Sequence, residues 1–327
     1  MALKPDIRCA YKVVGDCTIH VDIYVPQAPP AGKTKCPVAL AIHGGAFVLG
    51  HSDMVNKDQI ADCLSRGWIV LSLDHRLCPQ VDILTGPIAD CRDALAWVHS
   101  GGLAAALVGG PSITDPDLER VVAWGTSSGG TLALALGWGV RNPPRAILDF
   151  YGATHFAHGF WRAPVSTARL PPDASAAHID RVYDEAPVPT RGGVSLEGQA
   201  PASSSTSSSP TSMPPRPSFA FAHIARGTLL DVCFPSADWA AIDATLNVTP
   251  AFPPTCVVHG TADTMVPEHL SRALYAKLEE SGVRREFIEV PGEEHTFVGK
   301  MVKGSEVWDR QRRGFDFLEE VISGGKQ

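Results

Sequence analysis

Residues 121–134 read Val-Val-Ala-Trp-Gly-Thr-Ser-Ser-Gly-Gly-Thr-Leu-Ala-Leu, and few folds accommodate such a run. Val121 to Trp124 is apolar enough for a buried strand and stops at Gly125; a helix-compatible stretch opens at Gly129 and leaves Ser127 on the turn between them. Around a Gly-x-Ser-x-Gly core, a strand that turns sharply into a helix lifts the serine hydroxyl clear of a sheet. Glycines on either side let the two elements approach closely. The N–H of Ser128 and the helix N-terminus behind it then favour negative charge beside the hydroxyl. The polar cluster in the middle of 121–140 argues against a membrane span there.

Further strands and helices alternate around this turn. Residues 7–14 and 18–25 predict an antiparallel edge hairpin, with Ile19, Val21, Ile23 and Val25 alternating with polar neighbours. Residues 37–42, 68–73, 145–151 and 254–258 are short apolar runs of the kind buried on both faces of a parallel sheet, and 285–290 is a last strand. Helical periodicity occupies 53–66, 88–100, 268–281 and 305–322, with Gly67, Gly101 and Gly282 as stops. The alternation predicts an α/β fold with a mostly parallel central sheet flanked by helices, in which ligands bind at the carboxyl ends of the strands.

The chemistry-bearing residues fall at those ends. His43-Gly44-Gly45-Ala46-Phe47 follows the strand ending at Ile42, and the N–H groups of Gly44 and Gly45, with that of Ser128, are candidates for an oxyanion hole. Asp263 follows the strand ending at Val258, and His295 follows the one ending at Val290. A serine hydroxyl is a weak nucleophile until an imidazole accepts its proton, and that imidazole needs a carboxylate to fix its tautomer. Ser127, Asp263 and His295 are therefore the candidate nucleophile, acid and base, with Asp231 and Asp238 as weaker rivals to Asp263. Glu293 and Glu294 read as a solvated acidic turn. Asp74 and His75, adjacent at a strand end, point their side chains apart and are assigned structural roles.

After Gly152 the alternation breaks down until about residue 250. This divides the chain into a core, 1–152 and 250–327, and an insertion, 153–249, placed to cover the strand ends as a cap or lid. Phe156, Phe160 and Trp161 from the insertion, with Phe47, Val266 and Phe297, are candidate pocket residues. The Ser/Pro-rich tract 200–218 predicts a flexible loop, and 219–234 a helix. With 327 residues, 44% of them hydrophobic, the chain can build a substantial core. Its net charge of −7 is spread without basic patches, which argues against nucleic acid. No apolar leader or membrane span is visible, so a cytoplasmic location is expected. The eight cysteines lack Cys-x-x-Cys or metal-ligand spacing and are expected as free thiols, Cys91 and Cys256 in the core, with no metal and no cofactor. A homodimer is left open.

With these pieces assembled, the chain resembles the α/β-hydrolases of the hormone-sensitive-lipase-like (α/β-hydrolase-3) group over about 38–152 and 250–322. The resemblance rests on His43-Gly44-Gly45-Ala46-Phe47, the loop from Asp74 to Pro79, Gly125 to Gly130, Asp149-Phe150-Tyr151-Gly152, His259 to Asp263 and His295-Thr296-Phe297. It implies the α/β-hydrolase fold with an inserted cap. It also implies hydrolysis of a small-molecule carboxylic ester through an acyl-serine intermediate, without metal or cofactor. Ala46, Thr126 and His75 depart from residues common in the group, namely a third glycine, an acid and a tyrosine. The general character is that of fungal members, some of which act on intermediates of secondary metabolism. The same triad also serves a thioester, a lactone or a carbon–carbon bond flanked by carbonyls. A ligand receptor arises on this fold when the catalytic histidine is lost; here His295 is retained.

Overall fold

The computed structural model describes residues 3–109, 115–193 and 213–324. Its strands are β1 (Ile7–Val14), β2 (Cys17–Tyr24), β3 (Lys35–Ile42), β4 (Ile69–Leu73), β5 (Asp115–Thr126), β6 (Ile147–Phe150), β7 (Thr255–Gly260) and β8 (Arg285–Val290). They form one sheet in the order β1-β2-β4-β3-β5-β6-β7-β8. β1 pairs antiparallel with β2 and β2 with β4, and every later pairing is parallel. In β3, Val38, Leu40 and Ile42 pack into one apolar layer and Ala39 and Ala41 into the other, all at 0% exposure, which is why its sequence is continuously apolar.

The core helices are α1 (Lys57–Ser65), α2 (Ala89–His99), α3 (Gly102–Leu107) and α4 (Ser128–Leu134). Between β6 and β7 lie α5 (Ala176–Ile179), α6 (Pro215–Arg226), α7 (Leu229–Cys233) and α8 (Ala244–Asn247); α9 (Glu268–Glu280) and α10 (Glu306–Ile322) complete the chain. From β3 the sheet continues to β4 on one side and to β5 on the other, so the strand order reverses between β3 and β5. A crevice opens outside the strand ends at such a point. The register brings the ends level: Ile42 pairs with Leu73 and Gly125, Thr126 with Phe150, and Gly260 with Val290.

Several elements differ from the sequence expectation. β5 begins at Asp115, because its polar start pairs with Lys35 to Pro37 ahead of a register shift. α3 was not foreseen. The helix expected over 219–234 is two helices: Gly227, at φ 68°, ends α6 where a Cβ would lie 2.3 Å from the Ala163 carbonyl oxygen. α6 starts at Pro215, inside the tract expected to be a flexible loop, since proline is well suited to a first helical turn. The rest of that tract, 200–212, lies outside the described residues.

Beneath α4, β6 carries the fully buried Asp149. One carboxylate oxygen accepts the Gly152 N–H at 2.9 Å, and the other has no partner among the described residues. Burial pushes this carboxyl up to about 7 from 3.8, against the opposing pull of His259 and the Gly152 N–H. For an acid raised in the folded state, stability is full below the unfolded value and is lost as pH rises through about 4 to 7. Asp149→Asn keeps an acceptor for Gly152 and removes the titration. Thermal unfolding is expected to show the wild type losing stability between about pH 4 and 7, by up to a few kcal/mol. The variant should lose less; parallel pH curves would contradict the assignment.

Candidate active site

Ser127 sits at φ 53° and ψ −125°, a conformation an L-residue adopts only when its surroundings enforce it. The turn is held by main-chain bonds: Ser127 N–H donates to Phe150 O at 2.9 Å, and Gly130 and Thr131 N–H donate to Ser127 O at 2.9 and 3.2 Å. Close approach fixes the flanking glycines. A Cβ on Gly125 would lie 2.2 Å from Gly129 O, and one on Gly129 2.2 Å from Ile42 O.

The three strand-end residues meet. His295 Nε2 is 2.9 Å from Ser127 Oγ, and His295 Nδ1 is 2.7 Å from Asp263 Oδ2. A carboxylate accepts only, so Nδ1 carries the proton and Nε2 offers its lone pair to the serine O–H. Asp263 is anchored from behind: its Oδ1 accepts the Met265 and Val266 N–H groups, each at 2.9 Å. His259 Nε2 lies 3.2 Å from Asp263 Oδ2 and 2.8 Å from Val266 O. Both neighbours are acceptors, so this nitrogen too is protonated, and Ser271 sits at 2.9 Å from His259 Nδ1. Burial alone would raise the Asp263 carboxyl, but the two imidazoles hold it well below the usual carboxylate range. His259 was not singled out in the sequence; a histidine at a buried strand end carries no signal of what it will face.

A cavity of about 320 Å³ opens above Ser127, lined by Ser127, Ser128 and His295 and by residues of the insertion. Phe47, Phe156, Phe160, Trp161 and Val266 are among its lining residues. Phe297 is not: at φ 53° its ring turns into the core, 5.0 Å from that of Tyr151. Phe221, Ile224 and Leu230 were missed, because spacing gives α6 and α7 an apolar face without saying where that face points. Gly44 and Gly45 fall outside the lining, and Ala46, at φ 57°, stands in it with Ser128. Gly45 is a glycine because a Cβ would lie 2.3 Å from Leu49 O. The N–H groups of Gly45, Ala46 and Ser128 find no acceptor among the described residues.

Asp74 is buried away from the cavity in an ionic cluster, 2.6 Å from Arg8 and 2.8 Å from the Ser52 N–H, and His75 stacks on His43 with ring centroids 4.3 Å apart. Glu293 is not solvated as expected: it is 7% exposed and 2.8 Å from Lys300 Nζ. Asp231 lies on α7 and Asp238 in the insertion, neither beside His295. Cys91 and Cys256 are core residues, and all eight cysteines are free thiols. Among the described residues, no cluster of His, Cys, Asp or Glu could hold a metal ion, and no helix is long and apolar enough to cross a membrane.

Two family models match the chain: BD-FAE over residues 21–159 and the prolyl oligopeptidase family over 236–325. Among curated proteins, the non-reducing polyketide synthase Preu6 of Preussia isomera is 29% identical over 94% of this chain. Methylphloroacetophenone synthase of Cladonia uncialis is 38% identical over 49% of it. The chain spans 14% of the first protein's length and 6% of the second's. Among solved structures, Thermogutta terrifontis esterase 2 phosphonylated by sarin aligns with a TM-score of 0.63 at 18% identity, over 98% of this chain and 95% of its own. With its sheet order, its elbow and these likenesses taken together, the chain has the α/β-hydrolase fold.

Proposed function

We propose that the chain is a serine hydrolase that cleaves carboxylic esters through an acyl-serine intermediate. The observation that carries this reading is the continuous hydrogen-bonded path from Ser127 through His295 to Asp263 at the wall of one apolar cavity. Ser127 Oγ attacks the acyl carbonyl as His295 Nε2 takes its proton, and the imidazolium returns that proton to the leaving oxygen. Water then repeats the sequence on the acyl-serine, regenerating Ser127 and releasing the acid. Charge on the carbonyl oxygen is met by the N–H groups of Ala46 and Ser128, with Gly45 alongside, in place of the Gly44 and Gly45 pair expected from the sequence. The insertion 153–249 acts as the lid, since its aromatic residues close the cavity over Ser127.

A second reading keeps every residue role and changes the leaving group to a thiolate. Likeness to polyketide synthases over 94% of the chain favours it: a polyketide acyl group held as a thioester would pass to Ser127 and then to water. His295, in place between its two partners, speaks against a non-catalytic receptor. The test is a series of p-nitrophenyl esters and N-acetylcysteamine thioesters with matched acyl groups, alongside intact-mass detection of a fluorophosphonate adduct. Turnover with a single adduct on Ser127 is expected, and faster acylation by the thioesters would select the second reading. No adduct and no turnover of either series would overturn both.

A further inference from the structure

We infer that His223 is a specificity-determining residue, its free imidazole nitrogen hydrogen-bonding a hydroxyl on an aromatic acyl group held in the cavity. The inference rests on the serine hydrolase reading and adds to it the class of acyl group.

His223 projects from α6 into the cavity that Ser127 and His295 line from the opposite, core side. Its ring is fixed in place. Nδ1 is 2.8 Å from Thr228 Oγ1, the Thr228 N–H returns to His223 O at 2.9 Å, and the ring packs against Phe219 with centroids 4.3 Å apart. Nε2 has no partner among the described residues. The other polar side chains of the wall are engaged or stand elsewhere. Thr167 and Thr264 meet each other at 3.0 Å, Glu294 is exposed at the rim, and Ser128 and Thr296 flank the triad. Among the described residues, His223 is thus the polar side chain on the insertion's side of the cavity that keeps an atom without a partner, set among Phe160, Trp161, Phe221 and Ile224.

The chemistry of that nitrogen selects its partner. Burial, and after it the nearby Arg226, lower the His223 pKa, so the ring is neutral at pH 7 and gives no charge to hold a carboxylate. Thr228 can donate to Nδ1 or accept from it, so Nε2 is a donor in one tautomer and an acceptor in the other. A hydroxyl answers both cases. Flat aromatic walls favour a ring to carry it, since offset and edge contacts between rings add to simple burial. A ligand without the hydroxyl leaves Nε2 desolvated and unpaired, and that difference is what discriminates.

The test uses p-nitrophenyl esters of 3-phenylpropionate and of its 3-hydroxyphenyl and 4-hydroxyphenyl analogues, in which the two-carbon spacer insulates the carbonyl from the ring substituent. Wild type is expected to prefer one hydroxylated ester by about 10-fold in kcat/KM. His223→Phe should lose that preference, read as the ratio of kcat/KM between the hydroxylated and the unsubstituted ester within each protein, and His223→Gln should retain part of it. Fluorophosphonate labelling of Ser127 reports that each variant is folded. A wild type with no preference, a preference that survives in His223→Phe, or labelling without turnover of any of the three esters overturns the inference and leaves the hydrolase reading standing. Absence of both labelling and turnover instead brings down the hydrolase reading, and this one with it.

Discussion

Alanine at position 127 is expected to lower kcat on an activated ester by a factor on the order of 10⁶, alanine at 295 by about the same, and the double replacement by no more than either. Ser127 Oγ and His295 Nε2 share one hydrogen bond at 2.9 Å, and each is useless to the reaction without the other. The hydroxyl keeps its proton if no base receives it, and the base has nothing to deprotonate if the hydroxyl is gone. What survives is the cavity and its N–H groups, which in comparable sites leave roughly 10³–10⁴ over the uncatalysed rate. The fold should tolerate the change, because the turn is held through the main chain of Ser127, by bonds to Phe150, Gly130 and Thr131. Rapid-mixing measurement of p-nitrophenol release, with intact-mass detection of the acyl adduct, reads both quantities. A Ser127→Ala protein within 10-fold of wild type would place the nucleophile elsewhere. A double variant slower by the product of the two single effects would mean that the two side chains act independently.

The parts legible in the sequence were those where the backbone itself is constrained. A strand buried on both faces must be apolar throughout, so β3 and β4 stood out, and β7 opens on a similar run at Cys256 to Val258. A turn with Cα packed on a carbonyl must be glycine, so Gly125 and Gly129 marked the elbow. Residues just past such strands converge whatever their own chemistry, which is why Asp263 and His295 could be paired with Ser127 across long stretches of chain. Direction was what remained hidden. Phe297 lies two residues from His295, yet a positive φ turns it into the core, and Ala46 rather than Gly44 reaches the cavity because the turn continues one step further than its glycines suggest. In the insertion, composition misled: Pro215 and Pro217 look like loop residues but occupy the first turns of a helix whose later residues form the cavity wall.

Asparagine at position 263 should cost about 10⁴ in kcat with KM little changed, although the side chain differs by one atom and touches no substrate. The direction of the replacement is set by the backbone. Met265 and Val266 both donate N–H groups to Oδ1, so the asparagine carbonyl must stay there and its amide NH₂ must take the place of Oδ2. That NH₂ then faces His295 Nδ1 across what was a 2.7 Å contact to a carboxylate. Two donors cannot share the contact, so the imidazole gives up its Nδ1 proton, accepts from the amide, and carries its proton on Nε2. Nε2–H points at Ser127 Oγ and cannot take the serine proton, so the triad is intact in outline and wrong in tautomer. His259 cannot relieve this, since its Nε2 is already protonated toward Val266 O and would meet the same NH₂. Asp263→Ala is the matching control, because it removes the carboxylate without installing a donor and should be no slower than Asp263→Asn. Steady-state kinetics and the fluorophosphonate labelling rate of all three proteins decide it. An asparagine variant within 10-fold of wild type would mean that His295 is not oriented by Asp263.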